Sequence, residues 1–77
     1  MMEQKIIEIL KRLHPDVAFE RQNALVDDGI LDSLDIVTLV TELNAAFDIK
    51  IPAAEILPDR FNSVSALCDM VRRLDDI

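Results

Sequence analysis

The chain contains no tryptophan or tyrosine, one glycine, one cysteine, one histidine, and only 8 basic residues against 15 acidic ones in its 77 positions. Each scarcity excludes something. A lone Cys68 rules out an intramolecular disulfide, and with His14 as the only histidine a structural zinc site lacks ligands, so apolar packing must hold the fold. A net charge of −7 with no basic stripe suits nucleic acid poorly, because its binders neutralise phosphates and stack bases on aromatic rings. The acids keep a small domain soluble, and they also favour encounters with basic protein surfaces. No apolar run nears the ~20 residues of a membrane span, and the N-terminus carries no cleavable signal pattern. A soluble, cytoplasmic, monomeric protein is expected, with no nucleic-acid partner.

Apolar residues make up 51% of the chain, enough for one core. A single domain over 1–77 is expected, near the size at which a core yields roughly 3–5 kcal/mol. There is no internal repeat, low-complexity tract or linker composition. The first helix is predicted from about Glu3 to Leu13, with Met2, Ile6, Leu10 and Leu13 on one side, Lys5, Glu8, Lys11 and Arg12 outside, and Pro15 ending it. His14 to Asp32 is a long loop, anchored by Val17, Phe19, Leu25, Val26, Ile30 and Leu31, with Gly29 at its sharp turn. In the second helix Ile36, Leu39, Val40, Leu43 and Phe47 form one stripe. A short third helix is predicted over Ala53–Leu57, interrupted by Pro58. Ser63 caps the last helix, which turns Val64, Leu67, Cys68, Val71 and Leu74 inward and Asp69, Arg72 and Arg73 to water. The alternation Ile49-Lys50-Ile51 is too short for a strand and ends in proline. The expected fold is an all-α four-helix bundle, with three longer helices, one short one and a long loop between the first two.

The stretch Asp27-Asp28-Gly29-Ile30-Leu31-Asp32-Ser33-Leu34 delivers a serine to the first turn of the second helix. Asp32 is a good N-cap and Asp35 stands where a capping-box acid reaches back to free N–H groups. Ser33 is then left over, its hydroxyl facing solvent beside the positive end of the helix dipole, where a phosphate would be welcome. The local sequence alone favours a plainer reading, with Ser33 itself as the cap and Asp32 in the loop. Leu34, Val37 and Thr41, at i, i+3 and i+7, form a ridge offset from the core stripe, although they could simply widen that stripe.

Other chemistries fit badly. A serine hydrolase needs a base, an orienting acid and an oxyanion hole. Only His14 is available, and at the end of the first helix it is better placed to interact with that helix's C-terminus. Asp27-Asp28 lacks the ligand spacing of a calcium loop. Cys68, at an inward position, reads as a small core hydrophobe. No catalytic or metal-ligating residue is assigned.

The phrase Gly29-Ile30-Leu31-Asp32-Ser33-Leu34-Asp35 resembles the attachment motif of the acyl and peptidyl carrier proteins. Phe47-Asp48-Ile49-Lys50-Ile51-Pro52 with Glu55 resembles the end of that family's second helix, and Phe61-Asn62-Ser63-Val64 the start of its last, so the likeness covers nearly the whole chain. It is this breadth that favours Ser33 as more than a cap. The resemblance implies that Ser33, flanked by Asp32 and Leu34, carries covalent 4'-phosphopantetheine placed there by a phosphopantetheinyl transferase. It also implies that ligases load acyl or aminoacyl groups as thioesters for downstream transferases or synthases, the protein itself being no enzyme. Leu34, Asp35, Val37, Thr41 and Glu42 would form the docking surface.

Fatty-acid carriers typically have acids where this chain has Thr38, Asn44, Ala45 and Ala46, so a dedicated pathway, as for stand-alone peptidyl or D-alanyl carriers, is favoured over housekeeping fatty-acid synthesis. An unmodified helical adaptor with a carrier-like fold is the reading from a different class.

Overall fold

In the computed structural model, which describes residues 2–75, four α-helices are joined by loops and two 3-10 turns. Helix α1 runs over Met2–Leu13, α2 over Ser33–Phe47, α3 over Pro58–Phe61 and α4 over Val64–Asp75; the 3-10 turns are Phe19–Arg21 and Ala53–Glu55. Helix α1 is central, packing against α2, α4 and the first 3-10 turn, while α4 also packs against α3. That position explains why Ile9 is buried alongside the expected Ile6 and Leu10: a helix with neighbours on several sides buries a wider arc than one stripe. Met70 on α4 is likewise fully buried, beside Leu67 and Val71. Among the described residues no polar or charged side chain is fully buried, so the core is apolar throughout.

The long loop folds back on the bundle as expected. Phe19, Leu25 and Leu31 are buried, with Val17, Val26 and Ile30 packed against the core at their edges. Backbone bonds close it into turns, Asp28 N–H to the Ala24 carbonyl at 2.7 Å and Leu31 N–H to the Leu25 carbonyl at 2.9 Å. Gly29 has φ +75°, and a Cβ there would meet nothing within 4 Å, so glycine is needed for its backbone conformation and not for space.

A second tie was invisible to periodicity. Asn62, between α3 and α4, accepts the Val26 and Asp27 N–H groups at 2.9 and 3.1 Å and donates to Asp27 Oδ2 at 3.1 Å. Its carbonyl takes the Leu25 N–H at 2.9 Å. One residue thus staples the loop to the opposite end of the chain. Asn44 does the same for the segment after α2, accepting the Ile51 N–H at 3.0 Å.

The short helix lies elsewhere than expected. Ala53–Glu55 makes a single 3-10 turn, and Pro58 begins α3 instead of interrupting a helix. At the first helical position proline's missing N–H would have no partner anyway, and its fixed φ already suits a helix. Ser63 caps α4 as expected, its Oγ accepting the Ala66 N–H at 3.0 Å. Cys68 is buried, and burial pushes its thiol pKa up, consistent with a core hydrophobe.

Candidate functional site

The first turn of α2 decides between the two readings of Ser33. Asp32, in extended conformation, accepts the Asp35 N–H at 2.8 Å, and Asp35 Oδ2 accepts the Asp32 N–H at 3.2 Å. That reciprocal capping box makes Asp32 the cap and Ser33 the first helical residue. Ser33 takes no part in the exchange and is exposed, so its hydroxyl sits free beside the positive end of the helix dipole.

Around it the outer face of α2 is apolar and unburied. Leu34 and Val37 are 77% and 64% exposed, and Thr41, also exposed, turns its hydroxyl back to the Val37 carbonyl at 3.1 Å. Ile56 and Leu57, just beyond the second 3-10 turn, are exposed as well. Between the two segments runs a groove of about 430 Å³ lined by Ser33, Ile36, Val37, Val40, Thr41 and Ile56. Other hollows of similar size are lined largely by polar or charged side chains, such as Glu3, Gln4 and Glu20 or Asp59 and Arg73, which sets this groove apart as the more apolar site. A free hydroxyl at the rim of an apolar channel fits a phosphodiester-linked arm: the helix end favours the phosphate, and the groove favours the less polar chain beyond it.

The acids of the ridge are placed differently. Asp35 is only 20% exposed at its side chain, and its Oδ2 lies 2.7 Å from His14 Nε2. Glu42 lies 3.8 Å from Arg12 on α1. Leu34, Val37 and Thr41 thus share an open face with Ser33, whereas Asp35 and Glu42 border it on the side towards α1. Partial burial alone would raise the Asp35 pKa; hydrogen bonds from His14 and the Asp32 N–H, with the charge of a protonated His14, outweigh it and hold the carboxyl below its ordinary value. His14, expected at the C-terminus of its own helix, instead reaches across to α2. A 21-residue separation leaves no trace in local patterning.

On the far side of the groove, Glu55 binds Arg73 at 2.7 Å and lies 3.4 Å from Arg60, fixing the segment that carries Ile56 to α4. The hydrogen bond from Arg73 works against partial desolvation and, with both arginine charges, holds Glu55 below its usual pKa. Asp27 and Asp28 are exposed, and among the described residues no group of three or more His, Cys, Asp or Glu side chains could hold a metal ion. No helix among them is long and apolar enough to cross a membrane.

Comparison with known proteins agrees with this geometry. The profile of the family described as "Phosphopantetheine attachment site" matches residues 3–71. A D-alanyl carrier protein of Streptococcus uberis is 37% identical over 76 residues, covering 97% of this chain and 96% of that protein. One from Streptococcus pyogenes is 38% identical over 74 residues, 95% of this chain and 94% of the relative.

Proposed function

The chain belongs to the phosphopantetheine attachment family of carrier proteins, and from that premise we propose that Ser33 is the residue that bears the arm. A member of this family is a non-catalytic carrier, modified by a transferase with covalent 4'-phosphopantetheine. When attached, the group supplies a terminal thiol on which acyl or aminoacyl cargo is held as a thioester. The observation that carries the assignment is the capping box: with Asp32 and Asp35 satisfying the helix end, the Ser33 hydroxyl is left exposed and uncommitted.

The protein's own residues supply address and position. Asp32 and Asp35 fix the first turn, so Ser33 is presented from a rigid helix and not from the loop. Leu34, Val37 and Thr41 offer partners a small apolar footing on the same face, with Asp35 and Glu42 as acidic flanks. Tethering beside a partner's active site replaces a bimolecular encounter by an effectively local one.

The cargo we favour is a small aminoacyl group delivered by a dedicated ligase and passed to a downstream transferase or synthase, the relatives named above being D-alanyl carriers. Neutral Thr38, Ala45 and Ala46 are exposed on α2, so this helix lacks acids there that the fatty-acid branch would bring. The domain occupies 1–77, acts as a monomer, and works in the cytoplasm, where coenzyme A is at hand.

Intact-protein mass spectrometry after incubation with a broad-specificity phosphopantetheinyl transferase, coenzyme A and magnesium tests the attachment. One phosphopantetheine on wild type and none on a folded Ser33→Ala variant is expected. Failure of several transferases to modify folded wild type would overturn the reading in favour of an unmodified adaptor. A D-alanine-activating ligase with ATP should then add one alanyl group to the modified protein.

A further inference from the structure

His14, just past the end of α1, meets Asp35 in the turn that presents Ser33, with Nε2 2.7 Å from Oδ2. Asp35 Oδ2 is shared: it accepts the Asp32 N–H and meets His14 Nε2 at once. The imidazole therefore bears on the capping box and on an acid bordering the apolar face of α2. The side chains of the pair are 34% and 20% exposed, so solvent protons reach them while their interaction is only partly screened.

We propose that His14 is a positioning residue for partner docking, setting through Asp35 how much negative charge stands beside Ser33. With the ring neutral, Nε2–H donates to Asp35, which keeps its full charge towards an approaching basic enzyme. Once the ring takes up a proton, imidazolium and carboxylate cancel, and the attraction weakens by one charge. Histidine is the side chain type whose unperturbed charge change lies between about pH 5 and 8, which sets the two pH values of the test.

The surrounding charges leave the pair this role. Lys11 Nζ turns to the Val17 carbonyl at 3.4 Å, and Arg12 lies 3.8 Å from Glu42. From the loop Asp16 is exposed, and from α2 Asp32 is committed to the Asp35 N–H. The inference rests on Ser33 being the attachment residue and on the acidic flank of α2 meeting partners.

The test compares wild type, His14→Gln and His14→Lys as full-length apo-protein substrates of one phosphopantetheinyl transferase at pH 6 and pH 8. Glutamine keeps a donor for Asp35 but cannot titrate; lysine imitates the protonated state at both values. Expressed relative to His14→Gln at the same pH, which cancels the transferase's own titration, wild-type kcat/KM should fall about threefold from pH 8 to pH 6, the scale of a partly exposed charge interaction. His14→Lys should already be lowered at pH 8, and its ratio to His14→Gln should not change with pH. A wild-type ratio that is equally flat would overturn the proposal while leaving attachment at Ser33 intact. No modification of any variant at either pH would instead refute the attachment reading. An independent readout is the Asp35 carboxyl ¹³C shift, which should move with the His14 ring titration in wild type; independence of the two would also overturn the proposal.

Discussion

Helices α2 and α4 have similar supplies of apolar side chains and use them in opposite ways. Helix α4 buries Val64, Leu67, Cys68, Met70 and Val71 and leaves charge outside. Helix α2 buries only Leu39 and Leu43 fully, keeps Ile36, Val40 and Phe47 at the core's edge, and holds Leu34 and Val37 in water. Core packing does not account for two large exposed hydrophobes on one face beside an exposed serine. On the proposed reading, the contrast separates the part that holds the fold from the part offered to partners, and each side of it can be attacked.

The largest expected effect is on the stabilising side. Leu67→Ala should cost about 2–5 kcal/mol, comparable with the whole stability of a domain this small, and urea titration should find much of the protein unfolded. Leu34→Ala, which removes as many atoms, should change stability by less than about 0.5 kcal/mol, because the leucine is 77% exposed. Should the two cost the same, the contrast fails. On the partner side, Val37→Asp should raise the transferase KM about tenfold or more with little change in melting temperature, as expected for an apolar anchor at an interface centre.

Next comes the staple between halves of the chain. Asn62→Ala leaves the Val26 and Asp27 N–H groups without their partner and should cost about 1–3 kcal/mol by urea titration. Because it frees the loop leading into α2, it should also speed amide exchange at Leu25, whose N–H bonds the residue 62 carbonyl.

The smallest effect is electrostatic. Asp35 is held below its ordinary value of 3.8, so its ionised form stabilises the fold above that pH. This contribution disappears as pH falls from 3.8 through the lowered folded-state value. Acid titration of Asp35→Asn should therefore show a shallower loss of stability in that window than wild type, by under about 1 kcal/mol. An unchanged acid slope would show that the pairing with His14 and Asp32 contributes nothing to folding.

Local rules made most of the fold legible, whereas the reading of Ser33 as more than a cap came from the breadth of the family resemblance. The spacing of Ile6, Leu10, Leu67 and Val71 marks helices because burial imposes its period on sequence. Asp32 and Ser33 mark the start of α2 to within a residue, because a helix end has N–H groups that only a few side chains can satisfy, but that rule leaned to Ser33 as the cap and the structure has Asp32. Asn62, His14 and Glu55 escaped, since each has a partner 18 or more positions away, Arg73 in the case of Glu55, and no periodicity encodes such a partner. Pro58 was misjudged for another reason: proline breaks a helix interior but opens a helix at its first position, and which of these applies depends on the chain before it.

The most direct test of this division is to titrate ¹⁵N-labelled protein with an unlabelled phosphopantetheinyl transferase and map amide shifts. The account predicts that the changes concentrate at Ser33, Leu34, Val37, Thr41 and Ile56, with the outward face of α4 at Asp69 and Arg72 silent. Shifts centred on Asp69 and Arg72, with the outer face of α2 unmoved, would contradict it.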